Sequence, residues 1–98
     1  MEEYNLSNLK RVGDLKNLEI ENFYLPKLNY LNKIVLLKSK FINLPELETV
    51  NYSIIAPKSI EINLPKIKKI NKFISVNCDT RLNFHNKFNN KIEKKDII

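Results

Sequence analysis

The stretch "LPKLNYLNKIVLLKSKFIN", residues 25–43, decides the fold. Its apolar side chains fall on every third position, as Leu25, Leu28, Leu31, Ile34 and Leu37. An amphipathic helix requires apolar residues at i, i+3, i+4 and i+7, and a half-buried strand requires alternation, so a steady step of three fits neither. It is the step of a chain that coils back upon itself. The flanking sequence repeats it: Leu6, Leu9, Val12, Leu15 and Leu18 precede the stretch, and Leu44, Leu47, Val50, Ser53 and Ala56 follow it. A fourth unit reads Leu64, Ile67, Ile70, Phe73 and Val76, which leaves Ser53 as the one break in the pattern. Leu-Pro pairs open three of the four units, at Leu25-Pro26, Leu44-Pro45 and Leu64-Pro65.

A second aligned column, Gly13, Asn32, Asn51 and Asn71, places an amide at the same point of three successive units. Amides stacked in this way can hydrogen-bond along the repeat and satisfy polar groups at a turn.

Units of this kind resemble the leucine-rich repeat family, whose pattern is Leu-x-x-Leu-x-Leu-x-x-Asn/Cys-x-Leu. The second unit carries it as Leu31, Ile34, Leu36, Ser39 and Phe41, and the fourth as Ile70, Phe73, Ser75, Cys78 and Thr80. In the first and third units Asn17 and Lys58 fall where the family has Leu and Asn. With units of only 19 and 20 residues, the likeness is to the short-unit, Leu-Pro-containing branch. It implies a mainly β, parallel solenoid of about four coils, with short turns or tight helical segments on the convex side. A plain parallel β-solenoid is the close rival. One coil cannot bury its own apolar edge, so stacking must supply the core. The expected organisation is a four-coil repeat domain over residues 1–85, with residues 86–98 as a basic C-terminal cap or tail and residues 1–5 over the opposite end.

The same alignment sorts the charges. One column reads Asn8, Lys27, Glu46, Lys66 and another Lys10, Asn29, Glu48, Lys68, so that neighbouring coils set acid beside base. Charge is nonetheless lopsided. Residues 1–61 hold eight basic and eight acidic side chains and residues 62–98 nine and three, which puts the whole formal +6 in the last third. Lys69, Lys72, Arg81, Lys87 and Lys91 have no acidic partner in these columns and are the candidate partner-binding residues. Asn, Lys and Ile dominate the composition, which also inflates the lysine count.

Catalytic signals are absent. A single glycine excludes phosphate-cradling loops and dinucleotide fingerprints. Cys78, Asp79 and His85 lie close in sequence, yet they supply at most three of the four ligands of a zinc site. Cys78 is read as a small buried group and His85 as part of the cap. No metal, cofactor or catalytic residue is expected, and the protein is not expected to be an enzyme. The acidic N-terminus does not read as a secretory signal, no stretch approaches membrane-spanning length, and one cysteine allows no internal disulfide, so the expectation is a cytoplasmic protein that does not enter membranes.

Two functions follow from these readings. The resemblance implies a non-enzymatic protein–protein interaction module that recognises a protein partner through its stacked strand face. The second is a small basic protein of a virus or mobile element that binds a host nucleic acid or nucleoprotein through its basic C-terminal third.

Overall fold

Each Leu-Pro pair makes a corner. In the computed structural model, which describes residues 7–16, 19–84 and 86–95, Leu28 N donates to Leu25 O (3.4 Å), Leu47 N to Leu44 O (3.2 Å) and Ile67 N to Leu64 O (3.3 Å). These are β-turns with proline at the second position, where its fixed φ is already the one the turn requires. The first and fourth residues of all three turns are buried, so each corner plugs two apolar side chains into the interior.

Strands run away from the corners in two directions and stack in parallel. A long sheet is built from β1 (Arg11–Lys16), β3 (Tyr30–Val35), β5 (Thr49–Ala56), β7 (Lys69–Ile70) and β8 (Phe73–Asn77). A short sheet holds β2 (Asn22–Tyr24), β4 (Phe41–Asn43), β6 (Glu61–Asn63) and β9 (Arg81–Asn83). All pairings are parallel and join residues about one coil apart. The fold is a parallel β-solenoid of about four turns, as the three-residue step predicts.

The core lies between the sheets as apolar columns. Val12, Leu31, Val50 and Ile70 form one, Leu15, Ile34, Ile54 and Ile74 another, and Phe23, Ile42, Ile62 and Leu82 a third. A fully buried side chain of this size contributes about 1.5–3 kcal/mol. Beyond β9 the chain forms a short 3-10 segment, Asn86–Lys91, and then β10 (Ile92–Lys95), which pairs in parallel with β8. Phe88 is buried in the core and Ile92 packs against it, so residues 86–95 lie over the last coil.

The three-residue step itself needs correction beyond its fourth position. Leu36, not Leu37, enters the core, and Leu37 is 43% exposed. Ser53 faces Lys33 rather than Ile34, whose partner is Ile54, and Ile74 takes the inward place expected of Phe73. Strand alternation after Ile34 turns Leu36 inward, and one extra residue after Val50 moves the inward positions of the later coils to Ile54 and Ile74. The buried position expected at Lys58 moves accordingly to Ser59, and in the fourth coil it falls at Thr80, two residues beyond Cys78 and one more than this insertion supplies. Ser39, Ser59 and Thr80 are buried hydroxyls at the second corner. Ser39 Oγ donates to Ile20 O, Ser59 Oγ to Ala56 O (2.8 Å), which also takes the turn's bond from Ser59 N (3.2 Å), and Thr80 Oγ1 to Ser59 O (2.7 Å), so each buried hydroxyl is satisfied by a backbone carbonyl. Cys78 is exposed in that turn and is not the buried group expected. Phe41, expected as a repeat position, is 42% exposed, and Ile42 points inward in its place.

Candidate binding surface

The outer face of the long sheet carries a ladder of amides. Asn71 Nδ2 donates to Asn51 Oδ1 (2.9 Å), Asn51 Nδ2 to Asn32 Oδ1 (2.8 Å) and Asn32 Nδ2 to Asp14 Oδ1 (2.6 Å). An ionised carboxylate accepts hydrogen bonds only, so Asp14 fixes the direction of every amide behind it. The sequence column placed Gly13 at the head of this ladder, and Asp14 takes that role because only it offers a side-chain acceptor.

A bulge lies beside the ladder. Leu31 faces Val50, but Lys33 faces Ser53, so Asn32 opposes both Asn51 and Tyr52. The fourth coil follows the widened path, with Ile70 against Val50 and Phe73 against Ser53. Asn71 and Lys72 therefore interrupt the strand between β7 and β8, and Lys72 N donates to Tyr52 O (3.1 Å). Bulges re-aim side chains out of a sheet. Here the two inserted positions are Tyr52, 40% exposed, and the exposed Lys72.

Lys33 Nζ lies 5.4 Å from the centroid of the Tyr52 ring, within cation–π range. The pleat that turns Ile34, Ile54 and Ile74 inward turns Lys33, Val35, Ile55 and Phe73 outward, and all four are half-buried. Ser53 is wholly buried between Lys33 and Phe73 in its column, and its Oγ has no hydrogen-bond partner. Towards the Leu-Pro corner, Tyr30 is covered by the guanidinium of Arg11, 4.1 Å from its centroid.

The predicted partner-binding residues divide between regions. Lys69 and Lys72 are exposed on the long-sheet side, and Lys91 Nζ reaches the backbone oxygen of Asn71 between them (3.3 Å). Arg81 lies on the short sheet, and contrary to expectation it has an acidic partner, with Nη1 3.8 Å from Glu61 Oε1. The 20-residue register of β6 and β9 sets those two side by side. Lys87 stands at the Leu-Pro corner, its Nζ 5.2 Å from the Phe88 ring centroid, and lines a shallow hollow with Glu48, Lys66 and Lys68.

The columns of alternating charge form as read. Lys66 Nζ lies 3.0 Å from Glu46 and Lys68 Nζ 3.6 Å from Glu48. At the opposite corner Lys38 pairs with Glu19, and Lys40 with Glu21 (3.8 Å). The Lys38 ammonium donates to the Glu19 carboxylate and holds its pKa below the ordinary value.

Sequence reasoning missed a second amide ladder, on the short sheet. Asn83 Nδ2 donates to Asn63 Oδ1 (2.6 Å) and Asn63 Nδ2 to Asn43 Oδ1 (2.7 Å). Its signal was the asparagine just before Leu44, Leu64 and Phe84. The bulge also had a signal, the twentieth residue of the third unit.

Among the described residues no cluster of His, Cys, Asp or Glu is placed to hold a metal ion, and no helix is long and apolar enough to cross a membrane. His85, and with it the Cys78–His85 pair, lies outside the described residues, as do residues 1–6 and the terminal isoleucines. Comparison with protein-family models, with curated proteins and with solved structures finds no match.

Proposed function

We propose that the chain is a non-enzymatic binding module that engages a partner protein through the outer face of its long sheet. The observation that carries this reading is the bulge. A regular coil would hide nothing and present nothing here, whereas the inserted residues raise an exposed tyrosine beside Lys33 and Lys72 and next to the apolar strip of Val35, Ile55 and Phe73. An exposed aromatic within an apolar strip rimmed by charge is the composition of interface hot spots. The reading rests on this surface, and the resemblance to leucine-rich repeats adds only that stacked strand faces serve such recognition.

The test is affinity capture from cell extract with three immobilised forms: the unaltered chain, Tyr52→Asp, and Phe41→Asp on the opposite sheet. Both substituted residues are exposed, so both variants should keep the melting curve of the parent. A protein retained by the parent and by Phe41→Asp but lost with Tyr52→Asp is the expected result. Retention by all three forms would place recognition elsewhere.

A further inference from the structure

We infer that the partner presents an acidic polypeptide segment to the fourth-coil end of this face. The inference rests on the protein-binding reading and assigns the chemistry of what is bound.

Ion pairing between coils accounts for Lys38, Lys40, Lys66, Lys68 and Arg81, each within 4 Å of a carboxylate on the coil before it. Lys69 and Lys72 belong to columns where the preceding residue is Thr49 or Tyr52, which offer no charge. Lys91 adds a third ammonium, spent on a backbone carbonyl at Asn71 between them. On the outer face of the long sheet the described acids are Asp14, one side of the molecule away in the first coil and bonded to Asn32, and Glu93 on the edge strand opposite Ser75. The fourth-coil end of the face thus carries three ammonium groups, of Lys69, Lys72 and Lys91, against one described carboxylate, that of Glu93, and this cationic excess favours an acidic partner.

A polypeptide fits this surface better than a nucleic acid does. Nucleic-acid surfaces track phosphates with arginine and stack successive bases on several aromatic rings. Here both arginines are engaged, Arg11 over Tyr30 and Arg81 with Glu61, and the covered Tyr30 leaves Tyr52 as the one exposed ring of the face among the described residues. Beside the lysines lie Val35, Ile55 and Phe73, which suit aliphatic and aromatic side chains between carboxylates.

The probes are fluorescein-labelled dodecaglutamate and a labelled thymidine dodecanucleotide of similar charge, followed by anisotropy at about 50 and 200 mM salt, a range that separates screened from unscreened contacts. Dodecaglutamate should bind more tightly than the nucleotide at the lower salt and weaken at the higher. Lys69→Ser with Lys72→Ser should weaken it about tenfold, the sum of two exposed charge contacts, with no change in melting. Lys66→Ser with Lys68→Ser should leave binding within about twofold, since those lysines already have acidic partners. Tighter binding of the nucleotide overturns the inference in favour of nucleic acid. Binding of neither probe, or equal binding by the Lys69/Lys72 variant, also overturns it, and the Tyr52→Asp capture experiment then tells separately whether the face recognises a protein.

Discussion

In the short sheet three residues stack on three, from Asn22, Phe41, Glu61 and Arg81 to Tyr24, Asn43, Asn63 and Asn83, without a slip in register. In the long sheet the register slips by one residue between the second and third coils, and the strand of the fourth is interrupted at the same place. The same chain builds both sheets from the same columns of leucine and isoleucine. The same two corners border both, and the difference lies in length, three residues in β6 against eight in β5. The short strands are held at each end by a corner with buried side chains, so an extra residue there would move every following side chain to the wrong face. The long strands have room to bow outward, and the residue they absorb becomes exposed surface.

The comparison breaks most completely if the core columns are not shared. Leu47→Asp and Ile70→Asp each place an unpaired carboxylate in the interior, at a cost of several kcal/mol against a total stability of about 5–15 kcal/mol. Loss of the β-type circular dichroism and of a cooperative melt is expected of both. A folded monomer with the parent's melting temperature would mean that these columns do not exist.

Single-residue deletions test the contrast directly. Removing Asn63 from β6 should unfold the chain, because it draws the buried Leu64 out of its corner into an outward strand position and opens the short-sheet ladder. Removing Tyr52 together with Lys72 should leave a folded protein within about 3 kcal/mol of the parent by urea denaturation, the usual range for single-site changes. Equal damage from the two deletions would show that the bulge is structural rather than accommodated.

A smaller effect of opposite sign is expected at Ser53. Its buried hydroxyl has no partner, so Ser53→Ala should stabilise by up to about 1 kcal/mol, seen as a higher melting temperature. Destabilisation would mean that the hydroxyl is satisfied.

Surface pairing contributes least. Glu46→Lys sets a third cation beside Lys27 and Lys66 and should cost less than about 1 kcal/mol, a loss that shrinks at high salt. At Glu19 the folded-state pKa is lowered by Lys38, so the pair's contribution is present above the ordinary carboxylate pKa and is lost as pH falls through the lowered one. The acid limb of the melting profile should therefore be shallower in Glu19→Gln than in the parent, and superimposable limbs would show that the pair adds nothing.

The columns at Leu25, Leu28, Leu31 and Ile34 were legible in the sequence because a proline turn fixes their spacing locally. The pairing of Lys66 with Glu46 and Lys68 with Glu48 followed, since those residues sit within four positions of a Leu-Pro corner. Register beyond the bulge was not legible. An inserted residue can be absorbed anywhere along a strand at similar cost, and a count of twenty does not say where. Placing it after Val50 rather than at the unit's end is what separates Ser59 from Lys58, and Thr80 lies one residue further from Cys78 than that shift provides. The candidate surface was half legible: charge excess identified Lys69 and Lys72, while Tyr52 acquires its place only from the bulge, and Arg81 loses its candidacy only through the register that brings Glu61 beside it.

Parallel stacking at a constant offset also shapes how the chain reaches its fold. Every partnership across the sheets joins residues about twenty apart, so each added coil requires closure of a loop of the same length, about 2.7 kcal/mol of chain entropy before any constant. The first closure is made without a template, and each later coil lays down on strands already in place. Assembly then resembles crystal growth in one dimension, with a costly seed of two coils and rapid extension from it. The middle coils, whose corners are both complete, are the natural seed, and the ends are the first parts to fray.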